Sequence, residues 1–181
     1  MGEICDVRDG THDSPKYYDT GYPLITSKNL TKEGKIDFTN INLINLEDYG
    51  KINKRSKVGK GDILFGMIGT IGNPVLLKND GFAIKNVALI KEQLNLKNTY
   101  LIHYLNGSSI TKQFSEQNAG GTQKFLSLSV IRNLNIDTPS LPEQTKIADV
   151  LISIDDKIAV VDEQINSTKL WKKGLLQAMM V

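Results

Sequence analysis

Glycines recur at Gly66, Gly69 and Gly72 just after the apolar stretch Asp62-Ile-Leu-Phe65. Glycine-rich turns that follow a strand can cradle phosphate on their backbone amides. Here the spacing is GxxGxxG, not the GxGxxG of dinucleotide sites or the GxxxxGK[ST] of nucleoside triphosphate sites, and no helical pattern follows it. A tight turn in a sheet, or a backbone that approaches a large ligand, fits better. Methyl transfer to a base would show an aromatic-rich Asn/Asp-Pro-Pro motif, but Asn73-Pro74 runs into Val75-Leu76 without a stacking aromatic. Metal-dependent cleavage of DNA needs clustered carboxylates. Glu33-Gly34-Lys35 has an ExK form with Asp19 upstream, yet TKEGK reads as a turn. His12 beside Asp13 offers a base with an orienter but no nucleophile, and His103 in an apolar helical stretch reads as a packed, hydrogen-bonded residue. One cysteine (Cys5) and two histidines cannot build a structural zinc site. No residue is therefore assigned a catalytic or metal-binding role.

Two segments are better suited to binding nucleic acid. The formal net charge of +2 is almost neutral and by itself argues against a strongly basic binder, but the charge is unevenly spread. Residues 1 to 50 hold 5 basic and 9 acidic groups, whereas residues 51 to 60 hold Lys51, Lys54, Arg55, Lys57 and Lys60 with no acid. A solvated loop that keeps the protein soluble would look the same. The second segment, Asn118 to Phe125, joins flexible backbone to Thr122, Gln123 and Lys124. Gln can contact adenine bidentately, Lys can meet guanine or phosphate, and Thr can meet a thymine methyl or a phosphate. A polar loop between a helix and a strand is an equally good reading of those residues.

These segments sit among short elements. Asp62 to Phe65, Val75 to Leu77 and Val87 to Ile90 read as strands of a compact sheet, bounded by turn formers such as Gly72-Asn73-Pro74 and Asn79-Asp80-Gly81. Asn98 to Leu105 and Ser108 to Gln117 have helical spacing, Asn45 to Tyr49 suits a short helical turn, and Leu134 to Asp137 suits a strand. The texture changes at Pro139. Pro142 and Glu143 fit the first turn of a helix, and from there to the end the only glycine is Gly174. The expected fold is α+β: a compact mixed domain over residues 1–140, then one long coiled-coil helix over 141–181. A helix of about 38 residues would be roughly 57 Å long, too long for one small domain to cover.

Its apolar residues Ile147, Leu151, Ile154, Ile158, Val161 and Ile165 are spaced 4, 3, 4, 3 and 4, a seam repeating every seven residues. Thr168 weakens the seam, and Trp171, Leu175 and Ala178 continue it after a three-residue slip of phase. The chain has no second long helix to cover this stripe, so a partner from another chain is expected, most simply a second copy in a two-fold dimer. Folding back onto its own domain is the alternative. The N-terminus lacks signal-peptide regions and no long apolar run occurs, so a cytoplasmic protein without membrane contact is expected.

Several segments, taken in order, resemble the DNA specificity (S) subunit of type I restriction-modification systems in a half-length form. They are Gly10-Thr11-His12, Gly21-Tyr-Pro-Leu-Ile25, Gly61-Asp-Ile-Leu-Phe65 with Gly69-Thr70-Ile71-Gly72, Gly120-Gly-Thr-Gln123, and Pro139 to Ala148. Each is weak alone; their order and spacing make the resemblance specific. It implies a domain that reads a short sequence in double-stranded DNA, followed by a spacer helix, in a subunit with no catalytic activity. It implies methyltransferase (M) and restriction (R) subunits as partners, and that any S-adenosylmethionine, ATP and Mg belong to them and not to this chain. Family members carry two such units whose helices pack antiparallel; this chain has one, and it lacks the usual Trp-containing residues before the first strand. The resemblance sets Lys51, Lys54, Arg55, Lys57 and Lys60 mostly on phosphates, Thr122, Gln123 and Lys124 nearer base edges, and Thr70 also at the DNA. Two alternatives remain: an interaction protein whose coiled-coil helix recruits a partner without DNA specificity, and a free-standing nuclease or methyltransferase.

Overall fold

The computed structural model describes residues 1–117 and 125–180. In chain order the elements are β1 (Val7–Asp9), β2 (Tyr22–Thr26), a single 3-10 turn (Ser27–Asn29), β3 (Asn42–Ile44), α1 (Leu46–Ser56), β4 (Ile63–Gly66), β5 (Gly72–Leu76), β6 (Ala83–Lys85), β7 (Val87–Ile90), α2 (Asn98–Leu105), α3 (Ser108–Gln117), α4 (Leu128–Arg132) and α5 (Leu141–Met179). One sheet has the order β1-β7-β4-β5 with all neighbours antiparallel. The other has the order β3-β2-β6, with β2 and β6 parallel. The α+β class expected from the sequence is what forms.

The strands stack in layers because β4 and β7 are buried on both faces. Side chains alternate along a strand. Ile63, Phe65, Ala88 and Ile90 face one core with Leu101, Leu105, Ile110, Ile131 and Ala148 from the helices. Leu64, Val87 and Leu89 face the other core with Ile25 and Ile84 of the second sheet. That sheet turns Leu24, Ile44 and Ala83 outward, onto Ile52 of α1. The order through the molecule is therefore helices, sheet, sheet, helix.

Helix α1 runs much further than the expected turn at Asn45 to Tyr49, and so carries Lys51, Lys54 and Arg55. The Asn45 side chain caps it by accepting from the Asp48 amide at 2.8 Å, with Glu47 and Asp48 in the first turn and Lys54 and Arg55 in the last. Both charge placements suit the helix dipole. The strand expected at Leu134 to Asp137 does not form; the segment is extended but has no neighbouring strand. Its backbone groups are met otherwise: the Leu134 carbonyl accepts from the chain's amino terminus, the Asn135 amide donates to Gln113 Oε1, and the Asp137 carbonyl accepts from Tyr100 Oη.

Helix α5 begins as Pro142 and Glu143 foretold. The Ser140 amide and hydroxyl both donate to the Glu143 carboxylate, at 2.9 and 2.6 Å. Its first turns belong to the globular core. Ala148 is buried there, and the fully buried Gln144 accepts from the Lys97 amide while donating to the carbonyls of Asn95 and Pro139. Beyond those turns the helix leaves the domain. Replacing Gln144 with Ala would remove three hydrogen bonds to part-buried backbone groups, each worth about 0.5–1.5 kcal/mol. Urea unfolding of Gln144→Ala should therefore show a loss of at least about 1.5 kcal/mol; a change below about 0.5 kcal/mol would refute this anchoring role.

Candidate nucleic-acid interface

Strand register gathers the motif loops at one end of the two sheets. Asp9, at the end of β1, pairs with Ala88 near the start of β7, and Gly66, at the end of β4, pairs with both Val87 and Gly72. In the second sheet Thr26 pairs with Lys85, and Thr11 forms a further bridge to Lys85. Gly10-Thr11-His12, Ser27, the Gly66–Gly72 hairpin with Thr70, and the Lys85-Asn86 turn therefore meet there. Two glycines are required by close approach. A Cβ on Gly10 would lie 2.4 Å from the Ile84 carbonyl oxygen, and one on Gly66 would lie 2.3 Å from that of Thr70. The glycine run is thus a tight sheet turn.

A chain of polar contacts ties these loops to α1. The Arg55 guanidinium and His12 Nε2 share the Asp9 carboxylate, the latter at 2.8 Å. His12 Nδ1 lies 2.8 Å from Asn86 Oδ1, and Asn86 has the left-handed φ of 56°. The Asn86 carbonyl accepts from the buried Ser27 hydroxyl at 2.9 Å. That hydroxyl oxygen in turn accepts from the amides of Met67 and Ile68 at the base of the hairpin, at 3.1 and 3.3 Å. Ile68 bridges to Phe125, and the Leu126 amide donates to the Met67 carbonyl at 2.8 Å. Both Ile68 and Phe125 are exposed. His12 thus pairs with Asp9, not with its neighbour Asp13, whose amide donates to Thr11 Oγ1. Hydrogen bonding to Asn86 first, and to Asp9 second, raises the His12 pKa above its ordinary value, while burial and the Arg55 charge oppose this.

Beside this chain a cleft of about 370 Å³ opens between α1 and the loop after β1, lined by Thr11, Asp13, Ser14, Asp48, Lys51 and Arg55 among others. Lys51 and Arg55 thus stand at the assembled end, although Arg55 is engaged by Asp9. Lys54 is exposed on α1. Lys57 and Lys60 lie elsewhere, in the connection that leads into β4, where the Lys57 carbonyl and the Asp62 carboxylate both accept from Lys91. The basic run is therefore divided between the two ends of β4. Thr122, Gln123 and Lys124 lie outside the described residues; the Phe125 bridge places the residue that follows them against the hairpin. Asp9, Ser27, Lys85 and Asn86 were not singled out from sequence. The Gly10-Thr11-His12 signature was the only pointer toward them.

The seam residues fall elsewhere. Ile147, Ile154, Ile158, Val161, Ile165, Trp171 and Leu175 are exposed on α5, and Leu151 is partly covered. The stripe that meets the domain lies beside them: Gln144, Ala148, Leu151 and Asp155, the last 3.7 Å from His103 Nδ1. His103 is accordingly largely buried, as its apolar setting suggests, but it is not hydrogen-bonded as expected: its buried Nε2 has no partner among the described residues. Among the described residues there is no cluster of three or more His, Cys, Asp or Glu able to hold a metal, and no helix long and apolar enough to cross a membrane.

A family model described as the type I restriction modification DNA specificity domain matches residues 2–169. The chain is similar to a Methanocaldococcus jannaschii protein described as a type I restriction enzyme MjaX specificity subunit, 26% identical over 177 residues, covering 88% of this chain and 39% of that protein. Its fold resembles the HsdS subunit of Thermoanaerobacter tengcongensis, with TM-score 0.62 at 18% identity over 90% of this chain and 38% of that one. It likewise resembles the type I S subunit of M. genitalium, with TM-score 0.62 at 16% identity over 97% and 43%. A chain in a structure concerned with assembly of a type I R-M system gives a TM-score of 0.68 at 19% identity over 98% and 42%. The chain spans about two fifths of the length of these relatives. With the family model covering nearly all of its length and the ordered motifs folded into one end of the sheets, the chain belongs to the type I restriction-modification DNA specificity family.

Proposed function

We propose that this chain reads one half of a bipartite site in double-stranded DNA and directs the methyltransferase (M) and restriction (R) subunits of a type I complex to it. It performs no bond chemistry itself; S-adenosylmethionine, ATP and Mg serve those partners, and the work is done in the cytoplasm. The observation that carries this reading is the convergence at one sheet end of loops that are far apart in sequence, with exposed apolar tips Ile68 and Phe125 beside polar groups. A rigid sheet that presents several loops side by side suits readout of base edges, while Lys51 and Lys54 suit phosphates.

The same reading completes the molecule by pairing α5 with a second copy. The exposed seam leaves a long apolar stripe in water unless another helix covers it. Since α5 is continuous to Met179, the 4-3 step extends past Ile165 through Thr168, Lys172, Leu175 and Met179, with Trp171 just beside the line. Charge favours one orientation. Residues 141–163 hold six acids and two lysines, whereas 164–181 hold three lysines and no acid. An antiparallel pair sets the acidic stretch of each copy against the basic stretch of the other; a parallel pair sets like against like. Two-fold pairing would present identical half-sites in inverted orientation.

Size-exclusion chromatography with light scattering should give a mass twice the 20.1 kDa of the chain, and Ile158→Asp should return it to one copy; a strict monomer at tens of micromolar contradicts self-pairing. For DNA, the double variant Lys51→Ala/Lys54→Ala should weaken binding to all sequences alike, and reduce the salt slope by about 0.9 for each lysine that meets a phosphate. An unchanged slope rejects the assignment of these lysines to phosphate. Gln123→Ala should instead leave the slope intact and lose about 1–3 kcal/mol of discrimination between sites; a uniform loss across sequences would move Gln123 away from the base edges.

A further inference from the structure

The polar chain at the reading end holds a group whose charge is not fixed. His12 is about half exposed and has an oxygen at each ring nitrogen, the Asp9 carboxylate at Nε2 and Asn86 Oδ1 at Nδ1. Only the imidazolium can donate to both. The neutral ring keeps one donor, and Asn86 can turn its amide to donate to the other nitrogen, so deprotonation preserves the contacts and removes the charge.

That charge decides the sign of its surroundings. Against His12 lie Asp9 on β1 and, across that carboxylate, Arg55 on α1; further ionised groups line the adjoining cleft or its rim, namely Asp13 in the same loop, Asp48 and Lys51 on α1, and Lys85 on β6, whose ammonium donates to Ser14. Three are anionic and three cationic. Arg55 already answers Asp9, and Lys51 and Lys85 equal Asp13 and Asp48 in number at the adjoining cleft and its rim. The cluster is neutral with neutral His12 and carries one positive charge with the imidazolium.

We propose that His12 is a protonation-dependent element of the DNA-binding end, adding one phosphate-attracting charge when protonated and releasing it as the solution becomes more alkaline. This rests on the reading of that end as the DNA interface. The direction follows from the contacts. Hydrogen bonds to Asn86 and Asp9 raise the titration of His12 in the folded chain, so the charge is fully present below the ordinary histidine value of about 6.5 and is lost as pH rises through the higher folded value. Affinity for duplex DNA should fall over that window, because one fewer phosphate is neutralised.

The test uses the full chain, a fluorescein-labelled mixed-sequence duplex and constant ionic strength. Binding is measured by anisotropy from mildly acidic to mildly alkaline pH for the wild type, His12→Gln and His103→Gln. With only two histidines in the chain, the imidazole proton resonances give the His12 titration directly. The wild type and His103→Gln should lose about threefold to tenfold in affinity with the midpoint of the His12 resonance, while His12→Gln stays flat or nearly so. Asp9→Asn provides a second check, because removing the carboxylate leaves His12 facing Arg55 and should lower the His12 titration. A wild-type profile parallel to that of His12→Gln, or a His12 resonance titrating at or below the ordinary value, overturns the proposal and leaves the DNA reading intact. Failure of the wild type to bind duplex at any pH overturns both, so the two failures are told apart.

Discussion

Strands β4 and β7 are apolar on both faces, and the remaining layers are arranged to cover them. A strand buried on one face can leave the other to water, but Ile63, Phe65, Ala88 and Ile90 on one side and Leu64, Val87 and Leu89 on the other each need a cover. The helices α2 to α5 supply the first and the second sheet supplies the second, whose outer face then takes α1. Covering both faces leaves only the two ends of the strand pair free. One end receives the hairpin and the Asn86 turn; the other leads through β7 toward the Asn95 to Lys97 turn on which Gln144 fastens α5. The separation of the end that gathers the motif loops from the protruding helix α5 follows from how the central pair is buried.

The reading end depends on fixed backbone. Gly10 and Gly66 allow main chains to touch where any side chain would collide, and Ser27 sits under the hairpin with its hydroxyl fully used. Such an end can hold loops in register with base edges without being ordered by the ligand, which spares part of the entropy cost of binding. The near-neutral net charge of +2 is compatible with this role. At the end proposed to face DNA cations and anions almost cancel, so affinity there would come from few phosphate contacts and from partner subunits, while discrimination would come from loop geometry.

Much of this was legible from sequence wherever periodicity was strong. Asn98 to Leu105 and Ser108 to Gln117 are helices with the expected bounds, and Val87 to Ile90 and the core of Ile63 to Gly66 are strands. The long helix was marked by Pro142, Glu143 and the absence of later breakers. Strands β1, β3 and β6 escape the sequence because three residues bearing Arg8, Asp9, Asn42 or Lys85 show too little alternation, and β2 escapes it because Pro23 interrupts a five-residue run. Leu134 to Asp137 has the alternation but joins neither sheet, its backbone groups being engaged by the amino terminus, Gln113 and Tyr100. Helix α1 was cut short because Gly50 and the charged run obscure a face made by Tyr49, Ile52 and Ser56. The partners of His12 could not be read at all, since Asn86 is 74 residues away and Asp9 meets it only once β1 is paired.

On the proposed function, two copies of this chain joined through α5 would read two inverted halves of one DNA site. Selection from a random duplex pool by the chain assembled with a type I methyltransferase subunit, followed by sequencing of what is retained, tests this pairing. The expected result is one bipartite motif whose halves are identical and inverted about a spacer of fixed length. Retention of no motif, or of a motif with a single half, would contradict it.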